Sequence, residues 1–289
     1  MKKTVCALIV CAALLFCGCG PAAITDFPSY LSESDYTVAT GTVKAADIKQ
    51  IVIEWVSGSV RIEESDVDQI TFSEVNSLDE KTDALGEIRK DKELTESLKM
   101  RYKTEGGTLT IRFCKSGLRV RAGAVKNLKK DLTVYVPAGT ELDLTDVNVV
   151  SSDVYMNGIK SAKTTLNGVS ASLKLADCTT GEAVIRTVSG SVGITSGTAP
   201  DRIEIESVSG KAALDLPSVS ELKVDCVSAD VSLSLHSADF TLTLAGISSA
   251  LEVNGFKYDK KEDRTYVFGS GEGTVSIQSV SGSVLIESK

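Results

Sequence analysis

Histidine occurs once in the chain, at His236, and aromatic residues make up only 5% of its 289 positions. A serine nucleophile would need that imidazole beside it together with an oxyanion hole, and no Gly-x-Ser-x-Gly elbow accompanies it. His236 follows Leu235 at an outward alternate, where it reads as a solvated turn residue. Cysteine is scarce where it would matter. Of seven, Cys6, Cys11 and Cys17 fall in the N-terminal apolar segment, Cys19 follows it, and only Cys114, Cys178 and Cys226 remain beyond. Three cysteines without a CxxC pair exclude a disulfide framework and a structural zinc site, and they read as small buried hydrophobes. No cofactor or metal is expected. Basic charge is also short: removing Lys2 and Lys3 leaves 29 Lys and Arg against 39 Asp and Glu, a formal charge of about −10. Such a balance excludes nucleic acid as a partner, and it leaves membrane attachment to acyl chains.

Long apolar runs are limited to one, Val5 to Phe16, preceded by Lys2 and Lys3. Twelve residues span about 18 Å as a helix, short of the roughly 30 Å hydrocarbon core, so the run is an export signal and not a span. Leu15-Phe16-Cys17-Gly18-Cys19 resembles the lipobox of bacterial lipoproteins, in which a small residue precedes the acylated cysteine. Gly18 before Cys19 fits that role, whereas Cys17 follows the large Phe16. The resemblance implies a signal peptide over 1–18, lipidation at Cys19, a tether over 19–45, and a protein anchored by lipid on the extracytoplasmic face of the cell membrane.

What is abundant is a repeat. A Val-Ser-small-x-apolar pentad begins at Val150, Val169, Val188, Val208, Val227 and Ile247, every 19 or 20 residues, with outlying copies at Val56 and Val280. A period of this size is the signature of a solenoid. With the first pentad residue as position zero, apolar residues recur at zero, plus four (Val154, Leu173, Val192, Ala212, Val231, Leu251) and plus six (Met156, Leu175, Ile194, Leu214, Leu233, Val253). Plus two is always small: Ser152, Ala171, Gly190, Gly210, Ala229, Ser249. Upstream, apolar residues sit at minus three (Val147, Leu166, Ile185, Ile205, Val224, Leu244). Odd offsets therefore point inward before the pentad and even offsets from zero onward, so that each coil is two strands joined by a corner carrying one extra residue, as a bulge would. A single coil cannot bury enough apolar surface to offset the entropy of ordering it, and stacking supplies the missing ladders. The fold class expected is all-β, a parallel β-solenoid of 19–20-residue two-strand coils over 46–289.

Two stretches break the pattern. Residues 76–99 are charged and carry Leu85, Ile88, Leu94 and Leu98 at helical spacing, an insertion loop or short helix; residues 255–273 contain the run Lys257 to Arg264 before Tyr266-Val267-Phe268 and read as a hairpin insertion.

Gly107-Thr108-Leu109-Thr110-Ile111, Leu132-Thr133-Val134-Tyr135-Val136-Pro137 and the Val-Ser-Gly-Ser-Val pentads at Val56, Val188 and Val280 resemble the bacterial "putative adhesin" family, a domain of unknown function that also occurs in LiaG-like membrane-stress proteins. The resemblance spans roughly 45–289 and implies a β-solenoid-like domain without known catalytic residues.

Candidate sites are few. The serine after position zero recurs in all eight copies and is expected to satisfy backbone groups at the bend. Asp143, Asp146 and Asp153 are the acidic residues best placed for cation binding or carbohydrate cleavage, although surface solvation accounts for them. Lys115, Arg119, Arg121, Lys126, Lys129 and Lys130 form an acid-free basic stretch able to touch anionic wall polymer or lipid headgroups. The function expected is a non-enzymatic envelope protein presenting a solenoid surface to protein or wall polymer; an accessory sensor of envelope stress and a β-helix carbohydrate-active enzyme are the alternatives.

Overall fold

The computed structural model describes residues 24–77, 91–121, 125, 128–246 and 248–289. Its strands are β1 (Ile24–Asp26), β2 (Thr37–Val38), β3 (Gly41–Val43), β4 (Gln50–Ser65), β5 (Ile70–Asn76), β6 (Arg101–Glu105), β7 (Thr108–Arg112), β8 (Arg119–Arg121), β9 (Lys130–Pro137) and β10 (Glu141–Asn157). There follow β11 (Lys160–Ser170), β12 (Leu173–Ala176), β13 (Thr179–Thr195), β14 (Arg202–Leu216), β15 (Glu221–Leu235), β16 (Phe240–Ala245), β17 (Ser248–Asn254), β18 (Tyr258–Lys260), β19 (Thr265–Phe268) and β20 (Gly273–Ser288). An α-helix, α1, covers Lys92–Leu98; Asp91 caps it by accepting from the Leu94 amide at 3.0 Å.

The repeats stack pentad on pentad. Ser189 pairs with Ser209 and Gly190 with Gly210, then Ser209 with Ser228, in parallel ladders interrupted only at position zero. Each long strand bends at its pentad into two limbs. The columns at minus three, plus four and plus six fill the shared interior, where Ile185, Ile205, Val224, Val192, Leu214 and Leu233 are buried.

The corner departs from the alternation expected. Position zero does not point inward: Val208, Val227 and Val280 are 45–49% exposed. The inward residue before the bend is at minus one instead, as Trp55, Val149, Thr187, Cys226 and Ser279 are buried. Positions zero and plus one therefore both lie on the convex side, and the extra residue of the bulge is the valine itself.

The small residue at plus two also has a different cause from a narrow interior. Gly190 and Gly210 adopt φ of +137°, and a Cβ on Gly210 would lie 1.8 Å from the Gly190 carbonyl oxygen of the coil beneath. Backbone geometry, and not interior width, fixes glycine there.

Coils do not all stack in chain order. β4 lies between β10 and the β7 and β9 layer, and β20 lies between β15 and the β16 and β17 layer. The first and last pentad copies thus occupy the second place from either end. The N-terminal end is closed by antiparallel strands, β6 on β7 and β5 on β9, with β2 and β3 on their outer edges. At the other end the β18 and β19 hairpin pairs antiparallel with β16.

Residues 24–43, within the stretch read as a tether, pack on this body. β1 pairs antiparallel with β8, Phe27 stacks on Phe113 with centroids 5.7 Å apart, and the Tyr30 hydroxyl donates to the Cys114 carbonyl at 2.9 Å. Residues 1–18, Cys19 and residues 78–90 of the charged insertion lie outside the described residues.

Candidate functional site

The corner is the most distinctive surface, and its hydroxyls come first. Ser189 donates to the Val169 carbonyl at 3.4 Å and Ser209 to that of Val188 at 3.5 Å, each reaching the position-zero carbonyl of a neighbouring coil, and Ser57 donates to the Leu128 carbonyl just ahead of β9 at 2.8 Å. A second set, not singled out from sequence, works from within: Thr187, Ser207 and Ser279 donate to the carbonyls of Ser189, Ser209 and Ser281 at 2.8–3.2 Å. Both columns satisfy backbone oxygens exposed by the bend. Elsewhere in the first column the Ser281 hydroxyl donates to that of Ser228 at 3.2 Å, and the Ser170 and Ser189 hydroxyls lie 3.3 Å apart.

With the hydroxyls turned to the backbone, the valines form an apolar ridge along the corner through Val150, Val169, Val188, Val208, Val227 and Val280. Its first rung, Val56, is buried because residues 27–30 and 113–118 cross over it as a strap. The strap is fastened by the Phe27 amide to the Leu118 carbonyl at 2.9 Å and the Gly117 amide to the Pro28 carbonyl at 3.1 Å. Where it ends, a groove of about 400 Å³ opens. Val56, Val149, Val150 and Val169 form the floor, Pro28, Tyr30 and Phe113 one wall, and Arg112, Arg186, Asn148 and Asn167 the polar rim. Arg112 is held over the Tyr30 ring at 5.2 Å and paired with Glu54, while Asn167 donates to Asn148 across the rungs at 2.8 Å. Burial pushes the Tyr30 hydroxyl up to about 12 and the Cys114 thiol, also lining the groove, to about 12. Neither ionises at neutral pH. The groove can therefore offer apolar contact and hydrogen bonds but no nucleophile or base among these groups.

Beside the ridge the first limb carries charges that consume one another. Lys163 meets Glu182 at 2.8 Å, Arg202 meets Glu221 at 2.5 Å, and Lys223 meets both Glu204 at 3.3 Å and Asp225 at 2.6 Å. Such exposed pairs add little stability each, and they leave the uncharged ridge as the unsatisfied strip of this face.

The acidic candidates do not converge. Asp143 and Asp146 lie on the first limb and Asp153 on the second, where its carboxylate accepts from the Ser172 amide at 2.9 Å. Among the described residues no three His, Cys, Asp or Glu side chains are grouped to hold a metal. His236 is exposed. Asp146 is half-buried with one carboxylate oxygen lacking a hydrogen-bond partner, and burial raises its pKa. A raised value means the fold favours the proton, so this contribution to stability is full below the unfolded pKa of 3.8 and is lost as pH rises through the folded one. Asp146→Asn is accordingly expected to raise stability at pH 7 by about 1 kcal/mol, and not at pH 3.5. Denaturant melts at the two pH values check this.

The basic stretch is split by the fold. Lys130 is not available to any surface: it is fully buried, its ammonium donating to the Leu98 carbonyl at 2.7 Å and to that of Phe113, pairing with Glu74 at 2.6 Å, and lying 4.2 Å from the Phe113 ring centroid. Its place was legible, since Lys130, Leu132, Val134 and Val136 share one side of β9. Lys115 and Lys129 are exposed, and Arg119 pairs with Asp26 at 2.7 Å. Lys126 and the Arg121 side chain lie outside the described residues.

A two-limbed parallel β-solenoid with capped ends and a cleft at its bend is the class that this geometry defines. The family model described as Toastrack DUF4097 matches residues 48–287, and the chain belongs to that family. No curated protein matches it. Among solved structures it is similar to a "putative cell adhesion protein" from Clostridium sporogenes, 11% identical with a TM-score of 0.42 over 88% of this chain and 100% of that one. It is also similar to a "putative adhesin" from Bacteroides fragilis, 12% identical with a TM-score of 0.45 over 88% and 97%. A "putative lipid binding protein" from Parabacteroides distasonis is 14% identical with a TM-score of 0.40 over 88% and 97%.

Proposed function

We propose that the protein is a non-enzymatic component of the cell envelope, anchored through a lipid on Cys19 at the extracytoplasmic face of the cell membrane, whose solenoid corner binds a protein or wall polymer. The observation that carries this reading is the valine ridge. Along one edge of the stack Val208, Val227 and Val280 are exposed and Val150, Val169 and Val188 half-buried, next to a groove with an apolar floor, while neighbouring charges neutralise one another. A carbohydrate-cleaving reading is disfavoured by the placement of Asp143 and Asp146 on a different limb from Asp153.

Two experiments test the proposal. Metabolic labelling with an alkyne fatty acid should tag the wild type and not Cys19→Ala; an unlabelled wild type removes the anchor. The double variant Val208→Asp/Val227→Asp changes two exposed side chains, so its melting curve should stay within about 1 kcal/mol of wild type, while its sedimentation with purified cell envelopes is lost. Undiminished sedimentation would exclude the ridge as the binding surface.

A further inference from the structure

The antiparallel pairing of β1 with β8 brings the start of the packed chain against the basic stretch. Ile24 lies opposite Arg121 and Asp26 opposite Arg119. Only residues 20–23 separate Cys19 from Ile24, and the five steps between them reach at most about 18 Å even fully extended. A lipid on Cys19 therefore cannot let the body drift far away: the N-terminal end of the stack is held close to the headgroups.

That end presents both cationic and apolar side chains to solvent. Lys115 and Lys129 are exposed there and make no ion pair among the described residues, in a chain whose overall charge is strongly negative. Of the acids nearby, Glu33 pairs with Arg101 at 3.6 Å, Glu96 with Lys99 at 2.7 Å and Glu105 with Lys103 at 2.7 Å, while Asp131 accepts from the Ser59 hydroxyl at 2.7 Å. Two exposed apolar side chains lie there too. Leu31, 90% exposed, and Val75, 66% exposed, are the two most exposed large apolar side chains among the described residues. Leu31 follows the strap directly, and Val75 lies opposite Asp131 on β5, past the end of its pairing with β3, where the next residues meet Lys130 and Lys129.

We infer that the N-terminal end of the solenoid is a membrane-apposed face, with Lys115 and Lys129 on anionic phospholipid headgroups and Leu31 and Val75 in the headgroup layer. The inference rests on the proposed lipidation of Cys19 and adds the orientation and the lipid class. A basic patch adds electrostatic attraction to anionic lipid beside the acyl anchor and fixes how the body is turned. The opposite end, eight layers away at about 4.8 Å each, then stands roughly 40 Å above the surface, with the ridge running between.

The test uses the lipidated full chain reconstituted in vesicles of phosphatidylcholine with phosphatidylglycerol and of phosphatidylcholine alone, each containing a headgroup-quencher lipid. A fluorophore is placed through Leu31→Cys or, at the far end, Lys257→Cys; the native cysteines Cys114, Cys178 and Cys226 are buried. Quenching should be severalfold stronger at position 31 than at 257. On the anionic vesicles alone it should weaken when salt shortens the screening length from about 10 Å at 0.1 M to about 3 Å at 1 M. Lys115→Glu/Lys129→Glu should reproduce that loss without lowering the melting temperature. Equal quenching at the two positions, or indifference to both salt and charge reversal, overturns the orientation. Failure of the unlabelled wild type to float with vesicles of either composition overturns instead the lipid anchor beneath it.

Discussion

Gly210→Ala is expected to lower the melting temperature by about 10 °C, a loss of about 3–4 kcal/mol, although alanine occupies the same column in two other coils. The added methyl would lie 1.8 Å from the Gly190 carbonyl oxygen, and φ at Gly210 is +137°, where an L residue is strained before any neighbour is considered. Relief requires the β13 and β14 ladder to separate at the corner, which also disturbs the Ser207 and Ser209 bonds to the carbonyls of Ser209 and Val188. Ala171 and Ala229 are not among the residues at positive φ, so their coils turn the bend differently. Ala229→Gly should therefore cost only about 1 kcal/mol. Calorimetry on the two variants separates the readings: similar small losses would mean that the column is set by interior width after all.

Lys130→Met should destabilise the fold by about 3–5 kcal/mol, the range for removing one partner of a buried ion pair. Methionine fills the apolar channel between Trp55 and Phe113 but abandons the carbonyls of Leu98 and Phe113 and leaves the Glu74 carboxylate uncompensated. Adding Glu74→Gln should restore much of the loss, because glutamine keeps an oxygen for the Met100 amide, now bound at 3.0 Å, without the charge. Burial holds the Lys130 ammonium below its usual pKa of 10.5, with Glu74 pulling the other way. Between that depressed value and 10.5 the unfolded chain binds the proton more tightly, so stability climbs with pH through this window. The rise should be missing from Lys130→Met in urea melts across the alkaline range, and a double variant no more stable than the single one would contradict the pairing.

The solenoid was legible because its interior obeys one rule: minus three, plus four and plus six carry aliphatic side chains in every central coil. The corner misled because valine at position zero satisfies the same rule by composition while the bend turns it outward. β-branched residues suit an extended bend whether or not they are covered. Lys130 misled for the opposite reason, as a charge in a basic run reads as solvated unless strand parity is weighed above residue type. The strap left a fainter signal, two aromatics at Phe27 and Tyr30 ahead of the repeats in a chain poor in them. Stacking order left none, since near-identical pentads are interchangeable neighbours as far as sequence is concerned.

That interchangeability bears on how the molecule assembles. During synthesis β16 and β17 emerge before β20, bearing a pentad register that β15 can accept directly, yet the finished stack has β20 seated between them. The carboxyl-terminal strand must therefore wait for that place or invade a near-native pairing to claim it, which makes completion of this end a late event dependent on the whole chain. A chain cut short before Gly273 would lack an inner layer, not an overhang, and its last two limbs would close upon the wrong neighbour.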